Sequence, residues 1–511
     1  MKAKQLIEAI GLLDDSLIAQ YDAYKPAKRK WLRPAIAAAC ICLLAGTGWG
    51  IMNGTLKMGG STAGSGSTGH EENSSFMHYE GPVMPLTLLE ENADVTASRE
   101  LTFDFLAYSE PYEYYEYKGE TKPVFRTGCT VGDSYTLYNG TDADISLTAL
   151  YPFTGCIRDL SDEKFSVSVD GEKIDPELLP GSYAGDFEGV WTKDGLDDTT
   201  LNLHPPGAFA DYVQLLENGA YLERTLSDAP ILDQPVTVYS FTENTAPEGY
   251  DAATQSISFY IDPSETTILS FGFEGGEWRE DGFRRFSFFV PRIRRRESKL
   301  LTILGEDIAD YTLQGYQNGA CEEGNELDGV SSVITRTEMT LEQLMQQVTE
   351  EIALYYWDGE MTERQMQMTL RGAKELLTDY GVLSNSSVMR YDDGRLDDLI
   401  SEAYAQERVF YAEIPLTIPA GGSINIDITL WRGGSYDYAC SGKYSGIIGY
   451  DCAAHLGSNL DLTSQQATLV NADDIQIVRQ NFGFDLQNGI TTVSIGEQDQ
   501  YYMEVKKAED Q

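Results

Sequence analysis

Over much of the chain, apolar residues recur at every second position. Ile145, Leu147, Ala149, Tyr151 and Phe153 alternate with Ser146 and Thr148, the spacing of a strand with one buried face. Leu101, Phe103 and Phe105 repeat the pattern, as do VTVYSF (236–241), SISFYI (256–261), TILSFGF (267–273) and FRRFSFFV (283–290). After the turn PAGG, Ile424, Ile426, Ile428 and Leu430 alternate with Asn425, Asp427 and Thr429, and further strands are expected near 475–479 and 500–505. The Asn139–Gly140 pair suits a tight hairpin turn. Short strands divided by Gly, Pro and Asp turns predict β-sandwiches in preference to a parallel sheet.

Between 340 and 405 the period changes to three and four. Thr340 with Gln343, and Thr362 with Gln365, are spaced as capping boxes. Each opens a helical stripe: Leu344, Val348, Ile352 and Tyr355 in one, Met366, Leu370, Ala373 and Leu377 in the other. A third helix is expected over Leu396 to Ala405. At the start of the chain, Leu6, Ile10, Leu13, Leu17 and Tyr21 form a further stripe, predicting an amphipathic helix. Pro34 to Met52 is 19 residues without a charge. As a helix it is roughly 28 Å long, against a hydrocarbon core of about 30 Å. Lys25, Lys28, Arg29, Lys30 and Arg33 precede it, which predicts a cytoplasmic N-terminus and an extracytoplasmic remainder. A cleavable signal peptide fits less well, because a patterned segment comes before the basic cluster and no good A-x-A site follows.

The chain is therefore read as mainly β, with two or more β-sandwich domains, a small helical insertion and one transmembrane helix in front. The segments are a cytoplasmic helix (1–24), a basic juxtamembrane stretch (25–33), the span (34–52) and a Gly/Ser linker (53–75). A β-sandwich (76–222), a second β domain (223–335), the helical insertion (336–406) and a C-terminal β domain (407–511) follow. Two sandwiches flanking the helices is the first expectation, with one sandwich interrupted by helices close behind.

Charge narrows the function. Residues 1–33 hold seven Lys/Arg against four Asp/Glu, and the rest holds 30 against 77. Such a surface repels phosphate backbones, so no nucleic-acid partner is expected. Seven cysteines are too few for a disulfide-stapled scaffold. Cys129 with Cys156, or Cys440 with Cys452, could pair or remain buried thiols. The sequences H-E-x-x-H, C-x-x-C, G-x-S-x-G and G-x-x-x-x-G-K do not occur, so no enzyme, metal or cofactor is expected. The clustered acids of TDAD (141–144) and DGLDD (194–198) do not fit a twelve-residue calcium loop.

Two surface stretches stand out as binding candidates. Tyr112, Tyr114 and Tyr115 interleave with Glu110, Glu113 and Glu116, a mixture suited to stacking on a glycan or facing a protein. Arg292, Arg294, Arg295 and Arg296 form a basic run able to hold an anionic wall polymer or acidic partner, or to neutralise neighbouring acidic surface. Leu6, Ile10, Leu13 and Leu17 are the candidate docking residues for a cytosolic partner.

The stretch I-G-L-L-D-D-S-L-I (10–18), the basic cluster, the single span and the large outer part together resemble single-pass membrane proteins of clostridial-type Gram-positive bacteria, many of them anti-sigma-factor-like. R-Q-N-F-G-F-D-L-Q-N-G-I (479–490) is similar to a stretch in uncharacterised members of that group. The resemblance implies a cytosolic sigma factor as partner and a sensing role outside. A surface binding or adhesion module for wall polymer or glycan is the alternative.

Overall fold

The computed structural model describes residues 79–508 except 118–119, 162–163, 182–206, 218, 292–297, 356, 358, 360, 386–393 and 439–443. The expected cytoplasmic helix, basic stretch, span and linker lie outside the described residues. Within them the chain is mainly β and builds several sheets, and no helix is long and apolar enough to cross a membrane.

Numbered along the chain, the largest sheet has the order β24 (Thr492–Ile495), β22 (Asp461–Val470), β2 (Val95–Asp104), β5 (Cys129–Asn139), β19 (Ser423–Arg432), β7 (Phe165–Val169), β8 (Glu172–Ile174). Only β2 and β22 run parallel. Two four-stranded sheets line its inner side. One is β1 (Thr87–Leu88), β6 (Ile145–Gly155), β18 (Arg408–Ile418), β9 (Glu177–Pro180); the other is β20 (Tyr436–Asp437), β21 (Ile448–Ala453), β25 (Gln500–Lys507), β23 (Ile475–Gln480). Phe103, Val131 and Ile426 of the large sheet meet Tyr151, Phe410, Tyr450 and Val505 of the facing sheets in one core. Each such side chain contributes about 1.5–3 kcal/mol by leaving water. This outer unit includes the motif at 479–490, whose residues serve folding. Arg479 grips the buried Glu504 carboxylate with bonds of 2.7 and 3.0 Å, Phe482 and Phe484 enter the core, and the Asp485 side chain accepts from Asn488 N at 3.1 Å.

A second β unit is inserted between β9 and β18. Its sheet β12 (Thr266–Phe271), β15 (Lys299–Gly305), β10 (Pro235–Thr245), β17 (Ser331–Thr340) faces the sheet β13 (Gly275–Trp278), β14 (Phe283–Pro291), β11 (Ala252–Tyr260), β16 (Tyr311–Tyr316). Phe241, Ile257, Phe286, Phe288 and Ile303 fill the space between them. Helices α1 (Phe209–Leu216) and α2 (Ala220–Leu226) pack behind β6 and β18, through Phe209, Tyr212 and Tyr221 against Leu150, Val409 and Tyr411. Helices α3 (Leu341–Tyr355), α4 (Glu363–Glu375) and α5 (Leu396–Ala405) cover the far side of the β10 sheet, where Val236, Val238 and Leu269 meet Leu344, Val348 and Leu377. The remaining strands, β3 (Glu113–Tyr117) and β4 (Glu120–Val124), form a separate two-stranded ribbon.

Two expectations change, and one open alternative is resolved. The β segments 76–222 and 407–511 are not separate units flanking the helices, since β18 lies between β6 and β9, and β19 between β5 and β7. Asn139–Gly140 makes no hairpin, because β5 and β6 belong to opposed sheets. The Asn139 amide donates to Ala143 O and Ile418 O, and its oxygen accepts from Thr141 N at 2.8 Å, which carries the chain across the core. Cys129 and Cys156 are buried free thiols, as are Cys321 and Cys452; Cys440 lies outside the described residues.

Candidate functional site

Alternation gives the large sheet one apolar and one polar face. On β5, Val131, Asp133, Tyr135 and Leu137 point inward, leaving Ser134, Thr136 and Tyr138 outside. Ser98 and Glu100 of β2 flank them on one side, Asn425 and Asp427 of β19 on the other. Ser98, Glu100, Ser134, Thr136, Asn425 and Asp427, with Asp170 and Gly171 of the β7–β8 turn, line a groove of about 470 Å³.

The register joins them into rows across the strands. Thr136 stands between Ser98 and Asn425, and Ser134 between Glu100 and Asp427. Ser134 Oγ donates to Asp427 Oδ1 at 2.7 Å, and Thr136 Oγ1 donates to Asn425 Oδ1 at 2.9 Å. Asp170 Oδ1 closes one side by accepting from Asn425 N at 2.9 Å. Beyond Glu100 the second row continues through Gln466 of β22 to Ser494 of β24. Gly132, between Thr102 and Thr429, leaves the floor flat there.

Directly beneath runs a buried ion pair that sequence reading missed. Arg99 donates from Nε to Asp133 Oδ1 and from Nη2 to Oδ2, both at 2.8 Å, and the Tyr135 and Tyr151 hydroxyls donate to Oδ2 at 3.0 Å. Both charged side chains are wholly inaccessible. Burial by itself lowers the Arg99 guanidinium, but the Asp133 charge, with Tyr135, Cys452 and the hydrogen bonds to Asp133 adding to it, raises it overall, so the cation is secure. Burial pushes the Tyr135 and Tyr151 phenols well above their ordinary value, and Asp133 pushes in the same direction. They remain hydrogen-bond donors. Arg99 Nη1 also reaches Ala453 O at 2.8 Å, and Tyr135 Oη accepts from Leu86 N at 3.0 Å, tying the large sheet to the layer below.

At one end of the polar face stands the ribbon of β3 and β4. Tyr112, Tyr114 and Tyr115 are 54%, 65% and 47% exposed. The Arg126 guanidinium lies 3.2 Å from the Tyr112 ring centroid and 5.9 Å from that of Trp431, linking the ribbon's base to the outward side of β19. Gly128 permits this approach. Its φ is +151°, and a Cβ there would meet the Trp431 ring at 2.7 Å and Arg432 O at 2.6 Å. At the opposite end, Tyr138 is 48% exposed, about 27 Å along β5 from Thr130, the residue that pairs with Trp431.

The other expected sites are not brought to this face. Arg292, Arg294, Arg295 and Arg296, and Leu6, Ile10, Leu13 and Leu17, lie outside the described residues. Nearby in the basic stretch, Arg279 and Arg285 both pair with Glu277 within the inserted unit. His455 is exposed, with Nε2 3.1 Å from Gly496 O; His70, His78 and His204 lie outside the described residues. Among the described residues, no group of three or more His, Cys, Asp or Glu is placed to hold a metal ion. The rows could be found only in part from sequence. Asn425, Asp427 and Thr429 are legible as outward positions, but their pairing with β5, nearly 300 residues earlier, leaves no local trace. No protein-family model matches the chain, and no curated protein matches it.

Proposed function

We propose that the protein is a membrane-anchored, extracytoplasmic interaction protein, held by a span at 34–52, whose contact surface is the polar face of the seven-stranded sheet. Its role in this reading is binding, not catalysis. The observation that carries it is the open groove of Ser98, Glu100, Ser134, Thr136, Asn425 and Asp427, bordered by the tyrosine ribbon. Polar residues on an exposed strand need no explanation, but three exposed tyrosines on an isolated ribbon contribute little to folding. The charge step at residues 25–52 supports the orientation.

A test attaches an epitope to each end of the full chain and adds protease to intact cells. The C-terminal epitope is expected to be lost and the N-terminal one kept; protection of the C-terminal epitope would overturn the topology. A face whose replacement by Lys at Thr136 and Asn425 changes no surface interaction of the cells would overturn the contact surface.

The stripe of Leu6, Ile10, Leu13 and Leu17 favours a second, regulatory reading, in which binding outside is relayed to a cytosolic partner such as a sigma factor. Site-specific crosslinking from the cytoplasmic segment is expected to capture such a protein in wild type and to lose it in Leu13→Asp. Equal capture by both chains would sink this branch alone. A wall-polymer role for Arg292, Arg294, Arg295 and Arg296 is judged by the same surface assay, with all four replaced by Ser.

A further inference from the structure

We infer that the polar sheet face and the ribbon beside it bind an uncharged, hydroxyl-rich glycan. This rests on the reading of that face as the contact surface and adds the chemical class of its ligand.

Hydrogen-bond chemistry is the first argument. Ser134 and Thr136 give their hydroxyl protons to Asp427 and Asn425 and keep lone pairs that accept, Glu100 and Asp427 accept only, and Ser98 offers a hydroxyl that donates and accepts. A matching ligand must present many hydrogen-bond donors along the face, as the hydroxyls of a sugar chain do. Bonds to the two carboxylates are charge-assisted and so roughly twice as strong as neutral ones.

Electrostatics exclude the commonest rival. The groove lining contains Glu100, Asp170 and Asp427 and no basic residue. Across the β7–β8 turn, a second cleft of about 760 Å³ adds Glu172, Glu177 and Glu413. A polyanion laid on this face meets repulsion in both clefts. A strongly basic peptide would also be attracted to these acceptors, and the hepta-lysine arm of the test separates it from a glycan.

Geometry completes the case. The rows are fixed by strand backbone and by cross-strand bonds of 2.7 and 2.9 Å, above the fully buried Arg99–Asp133 pair, so little ordering is required when a ligand arrives. The face is open and flat, which suits an extended chain. Exposed aromatic rings stand at both ends, Tyr114 and Tyr115 on the ribbon and Tyr138 on β5, where their apolar faces can stack on the C–H faces of sugar rings.

The test is affinity electrophoresis of the full chain in a polyoxyethylene detergent, since a maltoside would itself offer sugar. The gels contain hydroxyethyl cellulose, galactomannan or polygalacturonate. Retardation by at least one of the two uncharged glycans is expected, with apparent affinity reduced ten-fold or more in Thr136→Lys/Asn425→Lys and several-fold in Tyr114→Ser/Tyr115→Ser. The ribbon variant alters only exposed side chains, so its effect is separable from misfolding. No retardation by either uncharged glycan, unchanged retardation of the lysine variant, or preference for polygalacturonate each overturns the inference. If hepta-lysine binds instead, and the lysine variant loses it, the glycan class fails while the sheet face stands as the contact surface.

Discussion

The residues that hold the candidate face in place are mostly beneath it. Arg99 and Asp133 have left water completely, and their attraction offsets that cost only while all the bonds to Asp133 are made. Arg99→Met is expected to strand a buried carboxylate and destabilise the outer unit by about 3–5 kcal/mol. Chemical denaturation followed by tyrosine fluorescence measures this, and a shift below about 1 kcal/mol would show the pair to be dispensable. The sequence does contain a hint. Arg99 falls between Ala97 and Leu101, and Asp133 between Val131 and Tyr135, each at the inward parity of its strand. Two opposite charges at inward positions suggest a pair, but nothing local says that β2 lies beside β5.

At the scale of elements, local chemistry was the better guide. Both capping boxes form: Gln343 N donates to Thr340 Oγ1 and Gln365 N to Thr362 Oγ1, each at 3.2 Å, while Thr340 N and Thr362 N donate back to the glutamine side chains. The third helix covers Leu396–Ala405 as the spacing predicts. Caps and stripes depend on residues three or four apart, which is why they can be read directly. Gln365 has a second role that cannot be read this way, donating from Nε2 to Ile157 O of the outer unit at 3.0 Å. Thr362→Ala therefore costs the cap alone, about 1 kcal/mol. Gln365→Ala is expected to cost more, because it also leaves a buried carbonyl without that donor. Equal unfolding midpoints for the two variants would remove the bridging role.

At the scale of the molecule, the outer unit is closed by strands from both ends of the described chain. β18 and β19 sit inside their sheets beside β6 and β5, with the second β unit and five helices between them in sequence. A chain ending at residue 406 is expected to leave β5, β6, β7 and β9 without central neighbours and to be digested rapidly by protease throughout 79–180. Survival of a protected fragment over that range would show that the N-terminal strands fold alone. The sequence by itself determined what depends on near neighbours: the strand and helix periods, the caps, the uncharged stretch and the charge imbalance. Alternation also marked which side chains of β19 face outward. Only the tertiary structure decided that these strands are adjacent, that Arg99 meets Asp133, and that scattered Ser, Thr, Asn and Asp positions become continuous rows. The physical reason is that strand pairing is made by backbone hydrogen bonds, which are chemically alike along every strand. The choice of partner is settled by how the apolar faces of the whole chain fill one core.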